Sequence, residues 1–194
     1  HQQTALEIAR RSIVLLKNES LLPVDTRKFK KILVTGPNAN NQSIMGDWVF
    51  EQPEKNVSTI LEGIKEEASG TQINYVDVGW NMRALDSAKI EEAIQTAKSS
   101  DLAIVIVGED SFRQHLKEKT CGENRDRMDI TLWVEQPDVK VHLLQEFYQK
   151  GRGTGRKPVV LITLLGKSIN QAERIVHIHT GFTEMISVIL LLQV

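Results

Sequence analysis

The run Leu102-Ala103-Ile104-Val105-Ile106-Val107 constrains this chain more than any other segment. A strand with one face in water alternates apolar and polar residues. An unbroken apolar run suits a central parallel strand covered on both faces. Lys31-Ile32-Leu33-Val34-Thr35, closed by Gly36-Pro37, and Pro158-Val159-Val160-Leu161-Ile162-Thr163-Leu164 have the same character. Ile73-Asn74-Tyr75-Val76 alternates, and Ile175 to Ile178 reads as a last short strand. Between these runs lie stretches of helical spacing. Residues 4–16 bring Ala5, Ile8, Ala9, Ser12, Ile13 and Leu16 to one face. Residues 57–68 follow, with Ser58 or Asn56 as cap, then 87–98 and 139–148, and a tail from Thr183. Strands alternating with helices predict a three-layer α/β sandwich. Its sheet is mostly parallel, doubly wound and flavodoxin-like, with about six strands. Ligands in such sheets bind beyond the carboxyl ends of the strands.

The strongest strand is followed by a polar stretch, Gly108 to Asp129, of about twenty residues without periodicity. It therefore leaves the sheet at a carboxyl end. It carries Glu109, Asp110, Glu118, Glu123, Asp126 and Asp129, with Arg113, Arg125 and Arg127 among them. A carboxyl group in such a loop serves as a general acid if burial raises its pKa. A solvated, salt-bridged loop is the plainer alternative for any one of them.

Other features exclude more than they assign. The 194 residues suit one domain spanning 1–194. With 24 basic and 25 acidic residues, nothing favours nucleic acid or an anionic membrane as partner. No apolar window is long enough for a transmembrane helix. Cys121 is the only cysteine, so no internal disulfide and no thiolate zinc site is expected. His177 and His179 alternate but lack a third ligand, so no metal is assigned. Gly151-Arg152-Gly153-Thr154-Gly155 precedes a strand, whereas phosphate loops follow one, so it reads as a hairpin or linker.

Several segments, in order, resemble the second domain of glycoside hydrolase family 3, of β-glucosidase type. They begin with Ala9-Arg10-Arg11-Ser12-Ile13-Val14-Leu15-Leu16-Lys17-Asn18-Glu19 and Leu21-Leu22-Pro23. Ile32 to Ala39 is similar to that domain's first strand and turn, and Met45-Gly46-Asp47-Trp48 to its glycine-x-tryptophan loop. Val57 to Ile64 and Asp101 to Glu109 resemble the helix and central strand that follow. Gly122-Glu123-Asn124-Arg125-Asp126-Arg127-Met128-Asp129 resembles the acid/base loop. The likeness covers roughly residues 5–166, and residues 167–194 match poorly.

The resemblance implies a retaining mechanism whose nucleophilic aspartate lies on a preceding TIM-barrel domain. Such a barrel takes roughly 250 residues, which this chain does not contain. It implies that Glu123, four residues before Arg127, is the acid/base, with Glu109 as second candidate or as a loop anchor. Trp48 and Arg127 are the expected substrate-binding residues. For Trp48, stacking on a sugar face and packing in a core or interface stand as equal alternatives. Trp80 and Trp133 are expected to pack. The substrate class is a β-linked glucoside or oligosaccharide, and hydrolysis by water needs no metal or organic cofactor. The family setting suggests a secreted or periplasmic location. Alone, the chain is expected to be inactive. From a different class of function, the alternative is a non-catalytic α/β module that binds a sugar or small ligand beside Trp48.

Overall fold

The computed structural model describes residues 1–125, 157–165 and 188–193. Its elements are α1 (Gln2–Arg11), β1 (Ile13–Asn18), β2 (Lys31–Thr35), α2 (Ile60–Glu67), β3 (Gln72–Val76), α3 (Ser87–Ser99), β4 (Leu102–Gly108), β5 (Val159–Leu165) and β6 (Val188–Gln193). The strands form one sheet in the order β1-β6-β5-β4-β2-β3. Every neighbouring pair is parallel except β1 with β6, which is antiparallel and carries an irregularity between Leu15 and Lys17.

Side-chain alternation on the central strands builds the layers. On β4, Ala103, Val105 and Val107 join Leu33, Val159 and Leu161 against Ala93, Ile94 and Ala97 of α3. Leu102, Ile104 and Ile106 point the other way, where Ile32, Val34, Val160 and Leu164 meet Leu61 of α2. Every residue of β4 is buried, as an apolar run between two helical layers must be. The α/β sandwich with a mostly parallel sheet, expected from the sequence, is thus the architecture observed.

Two glycines let the strands close up at their carboxyl ends. A Cβ on Gly36, whose φ is +114°, would lie 1.9 Å from the carbonyl oxygen of Ile106. One on Gly108 would lie 2.2 Å from that of Leu164. Only glycine tolerates such backbone approach.

Three local expectations are corrected. The first helix stops at Arg11, and Ile13 to Asn18 is a strand instead of its continuation. Ser12 ends the helix by donating its Oγ to the Ala9 carbonyl at 2.7 Å. Ile13, Val14, Leu15, Lys17 and Asn18 then find ladder partners on β6, a tertiary contact that helical spacing cannot anticipate. Helix α2 is capped by Thr59 in place of Ser58 or Asn56, through a reciprocal capping box with Glu62. The tail contains a strand, Val188–Gln193, where helix was expected, since a short apolar run suits either state until it meets a sheet edge. The expected helix over 139–148, the strand from Ile175 to Ile178, Trp133 and the histidines at 177 and 179 lie outside the described residues.

Candidate functional site

Three segments converge beyond the carboxyl ends of β2, β3 and β4. The segment after β2 ends in Gly46-Asp47-Trp48, with Gly46 at φ +85°. The segment after β3 carries Trp80 and Arg83. The segment after β4, Glu109 to Arg125, is the long polar loop. Its first residue still belongs to the sheet, because the Glu109 amide donates to Leu164 O at 3.0 Å.

The loop folds by satisfying its own buried polar groups. Asp110, only 2% exposed, accepts from the Phe112 amide at 2.8 Å, and its other oxygen lies 2.5 Å from His115 Nδ1. His115 stacks on Trp80 with centroids 4.0 Å apart and meets the Phe112 ring edge-on. Asp110 O accepts from the amides of Thr120 and Cys121, which brings the distal half of the loop back to the strand end. Arg83 reaches over from the β3 segment to the carbonyls of Glu118 and Lys119, at 3.2 and 3.4 Å.

This frame ends in a tight turn that presents Glu123. The Arg125 amide donates to Gly122 O at 3.1 Å, and Gly122 and Asn124 both have positive φ, +87° and +61°. Arg125 braces the turn from below, donating to the carbonyls of Lys119 and Leu116. The Glu123 side chain projects outward, 44% exposed, and its carboxylate pairs with Arg113. Arg113 in turn lies over the Trp48 ring, 3.8 Å from its centroid. Trp48 itself is 74% exposed, so most of its ring is free for another partner.

Asp47, beside Trp48 in sequence, ties these pieces together. It accepts from the Glu123 amide at 2.6 Å and from Lys119 Nζ at 3.0 and 3.1 Å. Its other oxygen lies 3.6 Å from Arg113 Nε. Burial alone would raise the Asp47 pKa. The Glu123 amide, the Lys119 ammonium and the Arg113 charge outweigh it and hold the carboxyl below its usual range. Lys119 is 3% exposed, so its charge is matched inside the protein and not by water.

The residues singled out from the sequence therefore divide. Glu123 and Trp48 come together through Arg113 at the carboxyl end of the sheet. Glu109 lies near the same end but is only 6% exposed, and its carbonyl accepts from the buried Asn38 amide at 3.4 Å. Arg127 lies outside the described residues. Trp80, expected to pack, is 41% exposed and stacks at the edge of the site. Sequence reasoning missed Asp47 and Lys119, which join the site from afar. It also missed the Asp110–His115 pair, which a histidine five residues after an aspartate in an otherwise polar loop could have signalled.

Among the described residues no helix is long and apolar enough to cross a membrane. Residues 13–180 match the Glycosyl hydrolase family 3 C-terminal domain. The chain is 31% identical over 179 residues to a beta-xylosidase of Formosa agariphila, covering 88% of this chain and 22% of that protein. It is 30% identical over 190 residues to a periplasmic beta-glucosidase of Salmonella typhimurium, covering 87% of this chain and 23% of that one. Among solved structures, a family 3 exo-beta-xylosidase bound to a xylobiose aziridine probe superposes with a TM-score of 0.71 at 25% identity, over 98% of this chain and 21% of that one. A beta-glucosidase involved in saponin metabolism from intestinal bacteria has the same fold, with a TM-score of 0.79 over 100% of this chain and 29% of that one. The chain thus spans about a fifth of the length of the curated relatives it matches. On the match to residues 13–180 and these relatives, the chain belongs to the C-terminal domain family of glycoside hydrolase family 3.

Proposed function

We propose that this chain is the acid/base-bearing domain of a retaining β-glycosidase acting on β-glucosides or related β-glycosides. Glu123 is the proton donor, and the nucleophilic aspartate belongs to a TIM-barrel domain on the same polypeptide or a companion chain. One observation carries this reading. Glu123 is a solvent-accessible carboxylate on a braced turn, at the carboxyl end of a parallel sheet, beside an exposed tryptophan. The family membership supplies the reaction class.

In the first step Glu123 protonates the glycosidic oxygen as the barrel aspartate attacks the anomeric carbon, so the leaving alcohol departs neutral. In the second, the Glu123 carboxylate takes a proton from water, which attacks the glycosyl-enzyme ester and releases the aspartate. The two carboxyls must stand about 5–5.5 Å apart, which demands that the barrel close over this loop. Proton donation requires Glu123 to part from Arg113, and Asp47 stands 3.6 Å from the Arg113 Nε. Trp48 offers an apolar face to the leaving group.

The test uses the chain joined to its barrel. Glu123→Gln should lower hydrolysis of unactivated β-glycosides by at least about 100-fold, and azide or formate should restore turnover of an activated aryl glycoside. A silent Glu123→Gln would favour the second reading, a sugar-binding module without chemistry, which the largely exposed Trp48 ring also suits. The isolated chain should not turn over an aryl β-glucoside, because it carries only half of the carboxylate pair.

A further inference from the structure

We infer that Asp47 is a positioning residue for the acid/base group: it fixes the backbone of Glu123 and sets that carboxyl in one place relative to Trp48. The inference rests on Glu123 as the acid/base. Asp47 acts through the backbone of Glu123, whose amide it holds.

Four observations carry it. The Asp47 carboxylate accepts the amide of Glu123 itself, at 2.6 Å, across 76 residues of sequence. This is the residue's own peptide link, so moving Asp47 moves the acid/base side chain. Secondly, Gly122 is shaped for the contact. Its φ of +87° leaves the space that Asp47 occupies, and a Cβ there would lie 2.5 Å from Asp47 Oδ2. Thirdly, Asp47 is itself immobilised by the buried ammonium of Lys119 at 3.0 Å, so the amide is gripped by a fixed carboxylate and not by a swinging one. Fourthly, Asp47 precedes Trp48, and Arg113 bridges the Trp48 ring, the Glu123 carboxylate and the neighbourhood of Asp47. The ring and the carboxyl thus share one anchor, although they leave the sheet from different strands. Preorganisation of this kind matters because a displacement of about 1 Å at a reacting group costs on the order of 100-fold in rate.

The experiment compares Asp47→Ala and Asp47→Asn in the chain joined to its barrel, with Glu123→Gln alongside. Substrates are a methyl or alkyl β-glycoside, whose leaving group must be protonated, and a 2,4-dinitrophenyl β-glycoside, whose leaving group need not be. For Asp47→Ala, kcat/KM should fall about 100-fold on the first and less than about threefold on the second. Asp47→Asn retains an acceptor for the Glu123 amide but leaves the buried Lys119 ammonium without its counter-charge, so it should recover only part of the loss. Equal losses on both substrates would mean general destabilisation and overturn the inference. Backbone NMR of the chain provides a readout independent of turnover. The Glu123 amide proton should lie downfield in the native chain, and in Asp47→Ala should move upfield and exchange at least tenfold faster. An unmoved Glu123 amide overturns the positioning role. A Glu123→Gln variant without leaving-group discrimination overturns the acid/base reading, and with it Asp47's role in catalysis.

Discussion

Glu109 and Glu123 leave the same strand on the same loop, yet the protein treats them in opposite ways. Glu109 is the first residue past β4, still hydrogen-bonded to β5 through its amide, and 6% exposed. Glu123 stands at the far end of the loop on a glycine-hinged turn, with its side chain 44% exposed. The first is held by the sheet, whose geometry is fixed by two hydrophobic layers. The second is held by a few polar contacts between loops. In the proposed function Glu123 must meet a substrate delivered by another domain, which needs reach that the strand end cannot supply. A group that finishes a strand needs registry, and the sheet supplies that directly.

The sharpest way to break this comparison is to neutralise each carboxyl in the barrel-joined protein. Glu123→Gln should lower kcat/KM on unactivated glycosides by about 10²–10⁴-fold, the range for loss of a general acid. Glu109→Gln should cost less than about tenfold, since the residue is buried and its amide is bound to β5. Steady-state kinetics on the two variants decides it, and azide rescue of Glu109→Gln alone would invert the assignment. The next largest effect probes the two modes of anchorage. In Gly108→Ala the new methyl meets the backbone oxygen of Leu164, which cannot yield, so unfolding by urea should show a loss of roughly 3 kcal/mol. Activity in that variant should fall only as far as folded protein is lost. Gly122→Ala should cost about 1–2 kcal/mol in stability from its left-handed backbone, and the new methyl should push Asp47 away, so activity falls disproportionately. Equal partition between stability and activity in the two glycine variants would erase the distinction drawn above.

The smallest expected effect concerns pH. The Asp47 carboxyl is held below its usual range in the folded protein, so its pairing contributes stability that is complete above the unfolded value of about 3.9. That contribution is lost as pH falls through the lower folded value. Thermal melts should therefore show the native protein losing more stability than Asp47→Asn as pH is lowered from 6 to 3. A parallel decline in both would show that Asp47 plays no part in the acid limb.

The sheet was legible in the sequence where burial on both faces forces unbroken apolar runs, as in Ile32 to Val34, Leu102 to Val107 and Val159 to Ile162. It was illegible at β1 and β6, because Ile13 to Leu16 and Val188 to Leu192 are short runs that either helix or strand can accept. Their state is decided by distant pairing, of β1 with β6 and of β6 also with β5. The position of the loop was legible because it follows the strongest strand. Glu123 within it was distinguished from its neighbouring carboxylates only by resemblance to a family, since composition treats them alike. Asp47 and Lys119 were hidden because their contacts span 72 to 76 residues, and nothing local marks an aspartate that will grip a distant amide.

The antiparallel pairing of β1 with β6 has a practical corollary for anyone shortening this protein. With β1 in place, the backbone groups of β6 are occupied on both sides, by β5 and by β1. A truncation beginning after Asn18 would strip that cover and leave a raw ladder of amides and carbonyls. β1 is itself the outer strand of the sheet, but the irregularity between Leu15 and Lys17 and the lysine charge blunt its margin. β6 carries no charged residue, so the trimmed protein should precipitate or form filaments where the untrimmed one stays dispersed.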